Sequence, residues 1–412
     1  MSGWTNYPGM VTSKQMIENE MGYRGSKSVF YLLGTSSHYT NTVKEQRVDG
    51  SYLGLYNKQL WPKLRCTLTD FERNYQIKIP SNYFKNRTFS TLNLNPDLNT
   101  FNINQSINPW FITGFTDAEG CFTIKIQPNA KLKTKWRVRP VFSITLHLKD
   151  LPLLKQIQNT LGVGKISKSS GKSVIYAVDS IKEIPVIIKH FDMYPLITQK
   201  CVDYSIFKQC FEIINRGEHL IEKGLSEIIT LKSGMNLGLP DYLKFSFPNL
   251  IEKERPNYSF KGIPHPFWIS GFTSGDGSFH IGVDNYNKNP RVFPRFGIHL
   301  HIRELEVLKG IYTYLYSNNW VENKTIEVKE SDKKKKISIL EKSVNFQITK
   351  FSDITNKIIP FFNQYPILGV KSLDFIDFKK VCNIIKTKEH LISLSVFNNI
   401  LEIKSGMNQN RK

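Results

Sequence analysis

The sequence of 412 residues has few cysteines, and no two of them form a Cys-x-x-Cys pair. Five is an odd number, which argues against a disulfide framework and against a zinc site built from thiolates. No apolar run approaches the roughly 18 residues of a membrane span, and the first residues lack the basic and apolar regions of a signal peptide. We therefore expect a soluble protein, without a membrane partner, in a reducing compartment.

Acidic residues are scarce compared with basic ones. Lys and Arg number 56 against 35 Asp and Glu, which gives a formal net charge of +21 at pH 7. The basic residues are spread along the chain and do not form a tail, so they predict a folded surface for a polyanionic partner. A hydrophobic content of 40% excludes wholesale disorder, and the length predicts two or three domains.

The chain contains an internal repeat. The segment 109–122 (PWFITGFTDAEGCF) recurs at 266–279 (PFWISGFTSGDGSF). Three further landmarks recur in the same order: Tyr-Pro followed by a lysine and an aspartate, then Glu-His-Leu, then Lys-Ser-Gly-Met-Asn. Four ordered landmarks predict two copies of one domain. The predicted organisation is an N-terminal extension of unknown role at 1–105, a first domain at 106–252, a linker at 253–264 and a second domain at 265–412.

Each copy alternates between strand and helix periodicity. In Trp136–His147 the even positions are apolar and the odd positions are mostly polar or cationic, which is typical of a half-buried strand. Cys121–Gln127 and the stretch from Arg291 to Ile302 alternate in the same way, whereas Leu151–Leu161 and Cys201–Ile214 have helical spacing. The prediction is an α+β fold of two pseudo-symmetric αββαββα domains, each with helices on one face of an antiparallel sheet.

Two of the predicted helices begin the two copies and carry small residues four positions apart on one face. Two such faces allow helix backbones to approach closely, so we expect these helices to pack together. The predicted interface residues are Gly114, Ala118, Gly271 and Gly275. Gly120 and Gly277 follow at the helix ends, where we expect a positive φ.

Glu119 and Asp276 stand immediately before those terminal glycines. A carboxylate at a helix C-terminus opposes the helix dipole, at a cost of about 0.3–1 kcal/mol, and paired helices would bring the two like charges together. A divalent cation shared with a phosphate relieves both costs. Oxygen ligands without a Cys or His cluster favour Mg²⁺, with Mn²⁺ as an alternative, and metals held beside a phosphodiester support its hydrolysis. A single acid before a glycine is more often a solvated helix end, so this hypothesis depends on the repeat.

Residues 112–120 (ITGFTDAEG) and 269–277 (ISGFTSGDG) resemble the two signature helices of the single-chain LAGLIDADG homing endonucleases. The downstream landmarks are similar to those of intron-encoded members from fungal mitochondrial genomes, and the resemblance covers residues 106–412. It implies a mitochondrial monomer whose saddle-shaped sheets lie in the major groove of a long asymmetric DNA site. It also implies a metal-dependent double-strand break with short 3′ overhangs, which promotes intron mobility. The metal-binding and catalytic acids would be Glu119 and Asp276.

The second copy departs from the consensus of this family at one position. Ser274 stands where the first copy has Asp117. That position is not the family's metal ligand, so activity is still expected.

Two pairs of side chains occupy matched positions in the copies. Lys200 and Lys371 follow the Tyr-Pro element at the same interval. The resemblance implies catalytic lysines in the central pocket, where a cation could stabilise the phosphate, and a solvated helix start is the alternative. His147 and His301 could contact a phosphate or a water at the metal, or could be ordinary members of the polar sheet face.

The polar faces of the sheets are predicted to contact DNA, because Arg and Gln can form bidentate bonds with guanine and adenine edges. An ordinary solvated sheet face is the alternative. The loops 170–173 and 333–336 are expected to follow phosphates or to be soluble turns, and the first loop lacks the leading glycine of a nucleotide-binding P-loop. The predicted DNA-contacting residues are Lys125, Gln127, Arg137, Arg139, His147, Lys172, His280, Arg291, Arg295, His299, His301 and Lys334.

Three functions fit these features. The leading hypothesis is a site-specific endonuclease that acts on double-stranded DNA. The others are an RNA-binding maturase that assists splicing of its host group I intron, and a DNA-binding module without catalysis. The acids present in both motifs favour cleavage over both alternatives.

Overall fold

A computed structural model describes residues 106–284, 291–317 and 336–411. The predicted extension 1–105 and Lys334 lie outside these described residues. Within them, no helix combines the length and the apolar character that crossing a membrane requires.

The first half is a four-stranded antiparallel sheet of order β1-β2-β4-β3 with its helices. The strands are β1 (Gly120–Pro128), β2 (Trp136–His147), β3 (Lys165–Lys168) and β4 (Ser173–Val178). The helices are α1 (Pro109–Glu119), α2 (Leu151–Leu161), α3 (Ile184–Met193), α4 (Lys200–Asn215), α5 (Glu222–Ser233) and α6 (Asp241–Ser246). A short 3₁₀ segment, Leu148–Asp150, connects β2 with α2.

The second half repeats this arrangement with the sheet order β5-β6-β8-β7. The strands are β5 (Gly277–Asp284), β6 (Arg291–His301), β7 (Ile337–Ile339) and β8 (Ser343–Ile348). The helices are α7 (Pro266–Asp276), α8 (Leu305–Tyr316), α9 (351–364, with a π-helical turn at Ile354–Ile358), α10 (Lys371–Thr387) and α11 (Leu394–Ser405). The 3₁₀ segment Ile302–Glu304 connects β6 with α8.

The predicted α+β class with two antiparallel sheets is confirmed, and each half has more helices than the predicted αββαββα pattern. In the first half the additional helices are α3, which precedes α4, and α5 and α6, which follow it. Helix α5 buries Leu225, Ile228 and Ile229 against the core of the first half. These helices therefore enlarge the apolar layer that supports the sheet.

One phenylalanine organises the core of each half. The ring of Phe122 on β1 lies 5.1–5.4 Å, between centroids, from the rings of Phe142, Phe191, Tyr204 and Phe207. In the second half, Phe279 on β5 lies 5.1–5.7 Å from the rings of Phe296, Phe362, Phe375 and Phe378. Both phenylalanines come three residues after the acid of the repeated motif, so the strand that leaves each motif helix is anchored at its start.

Gly120 and Gly277 do not have the positive φ that their position predicted. Their φ values are −76° and −77°, which is extended backbone, because each motif helix continues directly into a strand. A Cβ atom at Gly120 would lie 2.9 Å from the Thr116 carbonyl oxygen, and one at Gly277 would lie 2.7 Å from that of Thr273. The glycines are required by close approach to the preceding helical turn, and the prediction of a left-handed cap was wrong.

The segment 253–264 contains no helix or strand, and it contacts the first half through Arg255. The Nη1 atom of Arg255 lies 2.6 Å from Oδ1 of Asp203, and its Nη2 atom donates a hydrogen bond of 2.8 Å to the Gln199 carbonyl. Arg411 makes the matching contact in the second half, with its Nε atom 2.9 Å from Oδ1 of Asp374. An arginine from beyond each helix thus holds the first turn of α4 and of α10.

Candidate active site

Helices α1 and α7 pack against each other through their small residues. A Cβ atom added to Gly114 would clash with the Trp268 carbonyl oxygen, and one added to Gly271 would clash with that of Phe111. One turn further along, a Cβ at Gly275 would clash with the methyl group of Ala118. The backbones can approach this closely only because these side chains are absent or small, and the two C-termini therefore meet.

Glu119 and Asp276 lie together at these C-termini. Asp276 is 7% exposed, and a Cβ at Gly275 would lie 3.0 Å from Cγ of Glu119, so the glutamate side chain passes over the end of α7. Burial and the neighbouring Asp276 carboxylate raise the pKa of Glu119 to about 8. The two acids therefore face each other, one from each half, and ionising both is unfavourable without a cation.

Lys200 and Lys371 are held at the same helix ends. The ammonium group of Lys200 donates hydrogen bonds to the carbonyl oxygens of Thr116 (2.8 Å), Ala118 (3.4 Å) and Gly120, and the side chain is buried. The ammonium group of Lys371 donates to the Gly275 carbonyl. A cation at a helix C-terminus is stabilising, and both lysines oppose the rise in the pKa of Glu119. Both ammonium groups thus lie at the C-terminal ends of the motif helices, near the acid pair, and the assignment of the two lysines as catalytic stays a prediction.

Two further acids, which the sequence analysis did not single out, lie close to this centre. Oδ1 of Asp150 accepts a hydrogen bond of 2.7 Å from the backbone N–H of Val370. Both carboxylate oxygens of Glu304 lie 3.2 Å from the backbone nitrogen of Gln199. Their signal in the sequence is a basic-acidic-Leu triplet, at 149–151 and 303–305, that follows the long strand in both copies.

Asp117 is fully buried and is occupied by hydrogen bonds. Its oxygens accept from the backbone nitrogen of Ile197 (3.0 Å), from Nε1 of Trp268 (2.8 Å), and from the hydroxyl of Thr198 (2.6 Å). Burial raises its pKa, and these bonds oppose the rise. At the matching position, Oγ of Ser274 accepts from the backbone nitrogen of Leu368 at 3.2 Å. Both residues therefore tie a motif helix to the segment that follows the Tyr-Pro element.

The acid pair fits a divalent cation. Its donors are carboxylate oxygens, which hard cations prefer, and a cation between them would remove the repulsion of two partly buried like charges. Across 106–284, 291–317 and 336–411, no group of three or more His, Cys, Asp and Glu residues is arranged to hold a metal.

The predicted groove contacts lie in two patches on the sheets. On the first sheet, Lys125 pairs with Arg139 and Gln127 with Arg137 across β1 and β2. Arg139 is already engaged, since its Nη2 atom donates to Gln127 at 3.3 Å and its Nη1 atom lies 3.6 Å from Asp179.

On the second sheet, His280 pairs with Arg295, and Arg291 pairs with Asp284. The guanidinium of Arg295 lies 5.3 Å from the centre of the Phe293 ring. His299 is exposed on β6, opposite Asn345. The pair of His280 and Arg295 lies two residue pairs nearer to its motif helix than the pair of Lys125 and Arg139.

The remaining predicted contacts have separate locations. His147 and His301 end their strands, and Nδ1 of each accepts a hydrogen bond from a backbone nitrogen two residues later, at 3.2 and 3.3 Å. Lys172 is exposed in the turn between β3 and β4. Lys336 is the described member of the four-lysine run, and it pairs with Asp353 at 3.2 Å.

Comparisons with known proteins agree with this geometry. A family model described as LAGLIDADG endonuclease matches residues 112–211 and 269–382. The probable intron-encoded endonuclease 3 of Neurospora crassa is 37% identical over 401 residues, which is 95% of this chain and 71% of that protein.

Solved structures include two close matches. The LAGLIDADG meganuclease I-CpaMI bound to uncleaved DNA is 46% identical with a TM-score of 0.67, over 74% of this chain and 100% of that chain. The LAGLIDADG homing endonuclease I-SmaMI bound to cleaved DNA is 35% identical with a TM-score of 0.68, over 75% of this chain and 99% of that chain.

Proposed function

The chain belongs to the LAGLIDADG endonuclease family and is a DNA-cleaving hydrolase, and we propose that it is a homing endonuclease that cuts both strands of one long asymmetric DNA site. The cut leaves short 3′ overhangs and promotes mobility of the intron that encodes the chain. The observation that carries this proposal is the pair of Glu119 and Asp276 at the joined ends of α1 and α7. One chain supplies both acids, so the protein acts as a monomer.

Glu119 and Asp276 are the residues that would hold Mg²⁺, or Mn²⁺ in its place. Such a cation neutralises charge on the phosphodiester during hydrolysis. Lys200 and Lys371 contribute a second source of positive charge, because their ammonium groups are fixed by backbone carbonyls beside the acids. Charges held in place before the reaction stabilise developing negative charge without reorganisation.

The two sheet patches would hold the duplex. A formal charge of +21 favours phosphate contacts, and arginine, lysine and glutamine side chains on the strands suit base edges. Arg137, Arg291 and His299 are exposed, which supports their assignment to the interface. The other members of this proposed interface are Lys125, Gln127, Arg139, His147, Lys172, His280, Arg295 and His301.

The proposed site of action is the mitochondrion. The resemblance of the repeated landmarks to intron-encoded proteins of fungal mitochondrial genomes supports this assignment. The maturase interpretation is not favoured, since the similar proteins I-CpaMI and I-SmaMI were solved bound to DNA.

Cleavage of the joined exon sequence tests the proposal. The probe is a DNA duplex that carries the exon junction without the intron, incubated with the full chain and Mg²⁺. We expect a double-strand break, and we expect Glu119→Gln or Asp276→Asn to abolish the break while binding of the duplex is retained.

Glu306→Gln provides the matched control. Glu306 is an exposed acid on α8 that pairs with Lys309 at 2.8 Å, so its loss should leave cleavage unchanged. An uncut junction duplex with the parent protein would contradict the proposal. Cleavage that survives either acid substitution would contradict the assignment of these residues.

A further inference from the structure

Asp150 and Glu304 each reach across from one half of the protein to the other. Asp150 ends the 3₁₀ segment after β2 in the first half, and it accepts the hydrogen bond of 2.7 Å from Val370 at the start of α10 in the second half. Glu304 occupies the same place after β6, and it accepts from Gln199 at the start of α4 in the first half. The contact is therefore reciprocal, over sequence separations of 220 and 105 residues.

At the start of α4 the Thr198 hydroxyl accepts a hydrogen bond of 3.2 Å from the Lys200 backbone nitrogen, whereas the backbone nitrogens of Gln199 and Val370 donate to the carboxylates of Glu304 and Asp150. Neither Gln199 nor Val370 makes a side-chain capping hydrogen bond. The exposed N–H groups and the positive end of the dipole favour a carboxylate at such a position. In both cases the carboxylate comes from the opposite half.

Gly369 makes room for the contact in the second half. Its φ is +73°, and a Cβ atom there would lie 2.6 Å from Oδ1 of Asp150. A larger side chain would therefore strain the backbone and displace the carboxylate from the helix start. A glycine at position 369 is therefore what the contact between Asp150 and the start of α10 requires.

The capped residue directly precedes one of the two predicted catalytic lysines in each half. Lys200 is the first residue of α4 and Lys371 is the first residue of α10. Each ammonium group binds carbonyls of the motif helix in its own half. Each lysine is thus held between two supports: its own motif helix holds the charged end, and an acid of the opposite half holds the backbone one residue away.

We propose that Asp150 and Glu304 are positioning residues, Asp150 for Lys371 and Glu304 for Lys200, and that this exchange links the two strand cuts. The inference rests on the proposed function. Placement is catalytically sensitive, since a shift of about 1 Å can cost about 100-fold in rate. Because each carboxylate supports one lysine, loss of one carboxylate should slow one strand more than the other.

Strand-resolved cleavage tests the inference. The full chain and its variants are incubated with the junction duplex and Mg²⁺, with each strand labelled separately, under single-turnover conditions. We expect Asp150→Ala to slow one strand by about 10- to 100-fold more than the other, so that nicked duplex accumulates. Glu304→Ala should slow the other strand.

Conservative variants separate positioning from folding. Asp150→Asn and Glu304→Gln keep an oxygen acceptor and should restore most of the rate. Asp150→Glu and Glu304→Asp keep the charge but move the carboxylate oxygen by one methylene. We expect both to show the same strand bias as the alanine variants, so they provide the test if the alanine variants do not fold. Thermal unfolding of each variant, with Glu306→Gln as control, reports the folded fraction.

The outcomes are distinct. Equal slowing of both strands, or unchanged rates in folded alanine or length variants, overturns the inference. If Asp150→Ala and Glu304→Ala slow the same strand, the assignment of each carboxylate to the lysine of the opposite half is wrong. If the parent protein leaves the duplex uncut, the proposed function is wrong. If the parent cuts the duplex and the variants cut both strands equally, the proposed function stands and only the positioning role is wrong.

Discussion

The two halves make the same backbone contact with different side chains two residues before the motif acid. In the first half Asp117 accepts from the backbone nitrogen of Ile197, and in the second half Ser274 accepts from that of Leu368. Asp117 also accepts from the Thr198 hydroxyl at 2.6 Å and from Nε1 of Trp268, which donates to it from the opposite helix at 2.8 Å. Ser274 instead donates to the Ser270 carbonyl in its own helix at 2.8 Å.

This difference has a physical origin within the helix pair. Trp268 is fully buried, and its indole N–H requires an acceptor. The matching position of the first half is Phe111, which is equally buried and has no polar hydrogen. The second half therefore does not need an acid at position 274, and its departure from the family consensus follows from the packing of α1 on α7.

The largest expected effect concerns the glycine that both motif helices have at their contact. Gly114→Ala and Gly271→Ala should destabilise the protein equally, because each new Cβ meets a backbone carbonyl that no side-chain motion can remove. We expect each to lower the free energy of unfolding by about 3 kcal/mol or more, at the upper end of overpacking effects. Denaturant unfolding of the full chain measures this quantity.

Gly406→Ala is the control for the glycine variants. Its new Cβ would lie no closer than 3.6 Å to another atom, and its φ of −88° suits alanine. A change within about 0.5 kcal/mol is expected. Clearly unequal costs for Gly114→Ala and Gly271→Ala would break the equivalence of the two helix faces.

Local patterns predicted the elements that depend on local burial. The bounds of β2 and α2 are those that the alternation in Trp136–His147 and the helical spacing in Leu151–Leu161 indicate. Such patterns record which face meets the core, and this information is contained within a dozen residues.

Contacts between distant segments could not be predicted in this way. Asp150 and Glu304 are polar residues with no periodic signal, and their partners lie in the other half. Gly120 was misinterpreted because the same residue type serves a left-handed cap and a close approach, and only the position of Thr116 distinguishes them. The partners of Asp117 could not be predicted either, because they are distant from it in the sequence.

The second prediction concerns the polar difference between the halves. Asp117→Ser, which copies the second half, should lower the free energy of unfolding by about 3 kcal/mol, because it leaves the buried Trp268 N–H without its acceptor. Trp268→Phe, which copies the first half, should make that loss smaller. A double-mutant cycle should give a coupling of about 1–3 kcal/mol.

Ser274→Ala provides the comparison for that cycle. It removes one hydrogen bond to Leu368 and should cost about 1 kcal/mol. Additive effects of Asp117→Ser and Trp268→Phe would show that the tryptophan does not explain why only the first half carries the acid.

The smallest expected effect depends on pH and concerns His190. This residue lies on α3 with Nε2 at 3.3 Å from the hydroxyl of Thr113, and burial lowers its pKa to about 4. The matching residue of the second half is Phe361, which is fully buried and cannot titrate. Lowering the pH should therefore destabilise the first half at His190, whereas the second half does not respond to pH at Phe361.

The sign follows from proton binding. The pKa of His190 is about 6.5 in the unfolded chain and about 4 in the folded protein. At a pH between these two values the unfolded chain is protonated at His190 and the folded protein is not. Stability is thus lost as the pH falls through this window, by on the order of 2 kcal/mol. His190→Phe should remove this part of the pH dependence, and Phe361→His should add a similar loss in the second half. Denaturant unfolding at pH 7 and pH 4.5 measures both, and parallel pH curves for the parent and His190→Phe would show that this histidine does not distinguish the halves.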